Sequence, residues 1–66
     1  MENLRRLREA AGLTQVELSE KVGVKQGSYS AWERGEAMPS AMNLLKLSYV
    51  LDCTVDELLG RNVAGA

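Results

Sequence analysis

Gln26, Gly27, Ser30, Ala31 and Arg34 fall on one arc when residues 26–34 are advanced at about 100° per residue, as on a helix. Tyr29 and Trp32 fall on the other arc, with Ser28 at its edge. The first face is small, polar and free of acids. A Gln amide can make paired hydrogen bonds to an adenine edge, and Ala and Gly let a helix sit deep in a groove and touch a thymine methyl. Arg reaches phosphate. The face therefore has the chemistry of a duplex reader, although exposed Gln, Ser and Arg also serve as an ordinary solvated surface.

Other chemistries lack their central residues. The 66 residues contain no His, which removes the usual general base near neutral pH and the commonest metal ligand. Asp56 and Glu57 are adjacent carboxylates, but at the start of a helix they serve its dipole and cap, and no third ligand accompanies them. We therefore expect no enzyme, no metal and no cofactor. Cys53 is the single cysteine, so it cannot close an internal disulfide; it reads as a packed side chain or, alternatively, a redox sensor. The lone thiol fits a reducing compartment, no apolar run is long enough for a membrane span and no signal peptide is evident, so a cytoplasmic protein is expected. Against nucleic acid stands the charge balance, eight Lys and Arg against nine Asp and Glu. Its distribution softens the objection. Residues 1–35 hold six basic and five acidic side chains (+1), and residues 36–66 hold two and four (−2).

The elements that must position this face are helices. Leu4, Leu7 and Ala11 recur at helical spacing, and Gly12 stands where a left-handed C-terminal residue is wanted. Thr14 and Glu17 form a capping box that opens a second helix, with Leu18 and Val22 as its buried stripe and Gly23 as its stop. A third helix starts near Lys25 or Gln26 and ends at Arg34 before Gly35, so helices two and three are joined by a tight glycine turn. After Pro39, Ser40 caps a fourth helix carrying Met42, Leu44, Leu45, Leu47, Val50 and Leu51. A second capping box, Thr54 and Glu57, opens a short fifth helix running through Leu58 and Leu59 to Gly60. The expected fold is all-α, one five-helix domain over residues 1–60 with a short flexible tail at 61–66. A core this small seldom supplies more than about 3 to 5 kcal/mol of stability.

Leu13-Thr14-Gln15, Leu18-Ser19, Val22-Gly23-Val24, Tyr29 and Trp32-Glu33-Arg34-Gly35 together resemble the helix-turn-helix domains of the Cro and phage repressor (Xre) family. The likeness continues through Pro39-Ser40, Leu44-Leu45-Lys46-Leu47 and Val55 to Gly60, covering nearly all of Leu4 to Gly60. The resemblance implies a lambda-repressor-like fold in which helices 2 and 3 form the helix-turn-helix and helix 3 enters the major groove. It implies that Gln15 contacts backbone phosphate with its side chain and helix-terminal amide, the alternative being an exposed first turn. Gln26, Gly27 and Ala31 match base-reading positions, and Lys25, Ser28 and Ser30 match flanking ones that touch phosphate or base. Arg34 and the loop from Gly35 to Met38 resemble a second phosphate clamp that Asn43 supports. Arg8 and Glu33 match a structural salt bridge locking helix one against the reader.

The sequence also departs from the family. Gly27 replaces a residue that often supplies a base-contacting side chain, Lys25 stands where a Ser or Thr cap is common, and the acid Glu36 follows Gly35 where basic residues are frequent. Tyr29 takes a usually aliphatic position, either packing in the core or placing its hydroxyl near a phosphate. Met38 and Val63 belong either to a dimer interface or to ordinary exposed surface. Two functions compete. The first is a sequence-specific regulator, a repressor binding double-stranded DNA as a homodimer. The second is a protein-interaction module of the same fold, an antitoxin or antirepressor-like adaptor with a protein partner, favoured by Glu36 and the acidic second half. No membrane partner is expected.

Overall fold

Local punctuation sets the helix boundaries in the computed structural model, which describes residues 1–60. The 61–66 tail, with Val63, lies outside the described residues. The order is α1 (Glu2–Ala10), α2 (Gln15–Val22), α3 (Gln26–Arg34), α4 (Ala41–Leu51) and α5 (Val55–Leu58). Among the described residues there is no strand. Thr14 Oγ1 accepts from the Glu17 amide at 3.0 Å while Glu17 Oε1 accepts from the Thr14 amide at 2.8 Å. Thr54 and Glu57 repeat this reciprocal cap at α5, and Ser40 Oγ accepts from the Asn43 amide at α4. These bonds satisfy first-turn donors that have no partner within the helix. Ala11, read as part of the first helical stripe, is instead the residue that caps α1, and Leu59 is likewise the cap of α5.

The turn between α2 and α3 depends on Gly23, whose φ of 84° is a left-handed conformation that costs glycine no Cβ clash. Its amide and that of Val24 both bond Ser19 O, at 2.9 and 3.0 Å, and redirect the chain within a few residues. Asp52 makes the equivalent stop for α4 with φ 52°. Aspartate tolerates this region better than most side chains.

One core joins all five helices: Leu4 of α1, Leu18 and Val22 of α2, Tyr29 and Trp32 of α3, Leu47 and Leu51 of α4, and Leu58 of α5. Tyr29 and Trp32 meet edge to face with ring centroids 5.8 Å apart, so α3 is anchored by its two aromatics while its other face stays outside. Tyr29 therefore belongs to the core. Asn3 Nδ2 donates to Glu57 O and ties α1 to α5. α4 buries only part of its apolar surface, leaving Met42, Leu45 and Tyr49 exposed. No described helix is long and apolar enough to cross a membrane. The architecture is the lambda-repressor-like five-helix fold.

Candidate nucleic-acid interface

Gln15 and Gln26 are the first residues of α2 and α3. The glycine turn brings these two helix starts together, and Gln26 Nε2 donates to Gln15 Oε1 at 3.0 Å. Gln15 Nε2 in turn donates to Glu33 Oε1 at 2.9 Å. Glu33 is the hub. Its Oε2 accepts from Arg8 Nε at 2.6 Å and from the Tyr29 hydroxyl at 2.5 Å, and its Oε1 also accepts from Arg8 Nη2 at 3.3 Å. Arg8 Nη1 donates to Leu13 O at 2.8 Å, fixing the segment that leads into α2.

Charge states follow from these contacts. Burial pushes the Glu33 carboxyl up, but the donors Arg8, Tyr29 and Gln15 outweigh it and hold the group below the usual carboxylate range. The Arg8 pKa is raised by its hydrogen bonds to Glu33, against the opposing effect of burial. Burial and then the bond to Glu33 push the Tyr29 phenol well up, so it remains a donor. At neutral pH the cluster is thus a cation, an anion and neutral donors. It fixes the Gln15 side chain, which fixes the Gln26 amide nitrogen. One Nε2 hydrogen and the Oε1 of Gln26 remain for another molecule, the donor and acceptor pair that matches adenine N7 and N6.

The rest of the α3 face varies in exposure. Gln26, Gly27, Ser28 and Arg34 are exposed, and Ser30 and Ala31 are half-buried. Lys25 caps α3 through its backbone alone, and its side chain is exposed. A Cβ built on Gly27 would meet nothing within 4 Å, and Gly27 has no positive φ. The protein itself therefore does not require glycine there. Asn43 is half-buried in the first turn of α4, with its amide taken by Ser40. Arg34 is engaged: Nε and Nη2 donate to the Glu36 carboxylate at 2.9 and 3.1 Å, and Nη1 donates to Ser30 Oγ. A polar cleft between α1 and α3 brings Arg5, Gln15, Ser30 and Arg34 to one surface together with the acids Glu2, Glu9 and Glu33, and Arg5 donates to Glu2 at 3.0 Å. Three features escaped the sequence reading: Tyr29 as a donor to Glu33, Ser30 as an acceptor for Arg34, and the Leu13 carbonyl on Arg8. Arg5 beside α3 is a further one, signalled only by its place one turn from Arg8.

Cys53 packs half-buried against the core. Burial, and then Glu57 and Asp52, push its thiol up, which disfavours the reactive thiolate. Among the described residues no group of three or more His, Cys, Asp or Glu is placed to hold a metal ion.

These features define a helix-turn-helix domain, α2 and α3 joined by the Gly23 turn with an outward-facing third helix. The chain belongs to the helix-turn-helix family of the Cro and phage repressor (Xre) type, whose model matches residues 4–58. Its relatives include the cryptic phage CTXphi transcriptional repressor RstR of Vibrio cholerae, 37% identical over 60 residues, which cover 91% of this chain and 54% of that protein. Repressor protein C2 of Salmonella phage P22 is 41% identical over 58 residues, covering 88% of this chain and 27% of its own length. The HTH-type transcriptional regulator ImmR of Bacillus subtilis is 37% identical over 59 residues, covering 89% of this chain and 46% of its own. The chain thus spans about half the length, or less, of these relatives. No solved structure gave a significant match.

Proposed function

We propose that this chain is the double-stranded DNA-binding unit of a transcriptional regulator, most simply a repressor, that inserts α3 into the major groove. Gln26, Gly27 and Ala31 read base edges. Gln15, Lys25, Ser28, Ser30, Arg34 and Asn43 meet the backbone or flank the readers, and Arg8 with Glu33 holds the assembly. The observation that carries this reading is Gln26 at the exposed start of α3, oriented by Gln15 and Glu33 while keeping a donor and an acceptor available. Two copies acting about a two-fold axis would read half-sites roughly 34 Å apart. Met38, Met42, Leu45 and Tyr49, all exposed, supply apolar surface for such pairing. The relatives support the regulatory reading, since RstR and C2 are repressors by name and ImmR is an HTH-type transcriptional regulator.

Selection of bound sequences from a random duplex pool, followed by titration at several salt concentrations, tests the proposal. An enriched motif with two-fold symmetry and a salt-dependent affinity is expected, and neither would appear for a protein-interaction module. That second reading is favoured by one observation, the Glu36 carboxylate lying on Arg34. In the selected motif, Gln26→Ala relaxes one position per half-site and costs about 1 to 3 kcal/mol.

A further inference from the structure

Arg34 presents its planar Nε and Nη2 edge to Glu36, one nitrogen to each carboxylate oxygen, at 2.9 and 3.1 Å. This is the edge with which a guanidinium takes two oxygens of a phosphate. The backbone builds the arrangement. Gly35, with φ 77°, turns the chain back at the end of α3, and the Glu36 amide bonds Ala31 O at 2.9 Å, which sets residue 36 beside the last turn. Ser30 Oγ accepts from Nη1 and holds the other side of the guanidinium. Both Arg34 and Glu36 remain exposed, so an outside anion has access to them. The bonds from Arg34 also hold the Glu36 carboxyl below the usual range and keep it charged.

We infer that Glu36 sets the strength and salt dependence of DNA binding: in the free protein its carboxylate occupies the phosphate-binding edge of Arg34, and the DNA backbone must displace it. The inference rests on the DNA reading given under Proposed function. Exchanging Glu36 for phosphate trades one anion for another and leaves a carboxylate beside the duplex. The counterions released by Arg34 are therefore largely offset. Sequence-independent affinity is held down, and the base contacts of α3 decide where the protein stays.

Wild type, Glu36→Gln, Arg34→Gln and the double variant are compared on the duplex enriched from the random pool, using the full chain. Glu36→Gln should tighten binding about threefold per subunit, or about tenfold for two subunits on one operator. It should also steepen the log–log salt slope by about 0.9 per subunit. In the Arg34→Gln background the same change should have little effect. Without DNA, the Arg34 Nε–H resonance should shift on Glu36→Gln. Unchanged affinity in Glu36→Gln overturns the inference while leaving the DNA reading intact. So does equal tightening with and without Arg34, which makes Glu36 a general repulsive charge, and so does an unmoved Nε–H resonance. If neither wild type nor Glu36→Gln binds any duplex, the DNA reading fails and takes the inference with it.

Discussion

Removing the Arg8 guanidinium tests whether Glu33 is the hub that holds α3 against α1 and α2. Arg8→Met keeps the apolar stem and deletes the charge, leaving a carboxylate whose side chain is 4% exposed. Two donors, Tyr29 and Gln15, still reach it. Loss of one partner of a buried pair costs about 3 to 5 kcal/mol, and the surviving donors put this case near the lower end, about 3 kcal/mol. Glu33→Gln should cost about 2 to 3 kcal/mol, because Arg8 loses its anion and the new amide faces other donors. The double variant has neither charge, so its cost should fall short of the sum by at least about 1.5 kcal/mol. Urea unfolding followed by the fluorescence of Trp32, the single buried tryptophan, measures all four corners of the cycle. A protein of this size has only about 3 to 5 kcal/mol in hand, so the titrations require a stabilising osmolyte.

The pH dependence carries its own sign. With Arg8 present the folded Glu33 pKa is depressed, so its contribution is present above the unfolded value, about 4.3, and is lost as pH falls through the folded value. In Arg8→Met, burial prevails and the folded pKa rises, so that stability is lost as pH climbs instead. The gap between the two proteins should therefore widen as pH rises through the ordinary carboxylate range. A cost for Arg8→Met below about 0.5 kcal/mol, or additive effects around the cycle, would refute the hub.

One further substitution and one chemical modification probe Gly27 and Cys53. Gly27→Ala should stabilise the free protein by about 0.4 to 1 kcal/mol in urea titrations, because alanine narrows the unfolded chain's freedom at a first-turn position without a positive φ and the added methyl meets nothing within 4 Å. The same change should weaken duplex binding if the α3 backbone lies against the bases, and unchanged binding argues that Gly27 is merely tolerated. Cys53 should react with iodoacetamide at pH 8 more slowly in the folded protein than after unfolding in urea, as burial raises its thiol pKa. Equal rates would count against its packed assignment.

What the sequence made legible was local. Thr14 with Glu17, Thr54 with Glu57, and the stops at Gly23 and Gly35 act within a few residues of one another, so the helices could be bounded without tertiary information. Spacing put Tyr29 and Trp32 on one side of α3 but left Tyr29 open between the core and a phosphate, and its burial against Trp32 decides for the core. α4 was harder to read, since it is apolar on more than one side. Leu47 and Leu51 are buried while Leu45 and Tyr49 face outward, and only the packing partners decide which side wins. The Arg8 and Glu33 pair could be named from the family pattern, but the convergence of Tyr29, Gln15 and Gln26 on it spans α1, α2 and α3 and leaves no periodic signal. Arg34 shows the same limit from another direction. Its position on the wheel marked it for phosphate, whereas its partner in the free protein is set by the backbone turn at Gly35.

If α3 reads the major groove through Gln26, as proposed, the contact can be found by replacing adenines of the selected duplex one at a time with 7-deazaadenine. This base keeps its pairing and its amino group but lacks the N7 acceptor. We expect one position per half-site at which wild type loses about fivefold in affinity and Gln26→Ala loses nothing further. Equal affinity for every substituted duplex, or an equal loss in both proteins, would contradict it.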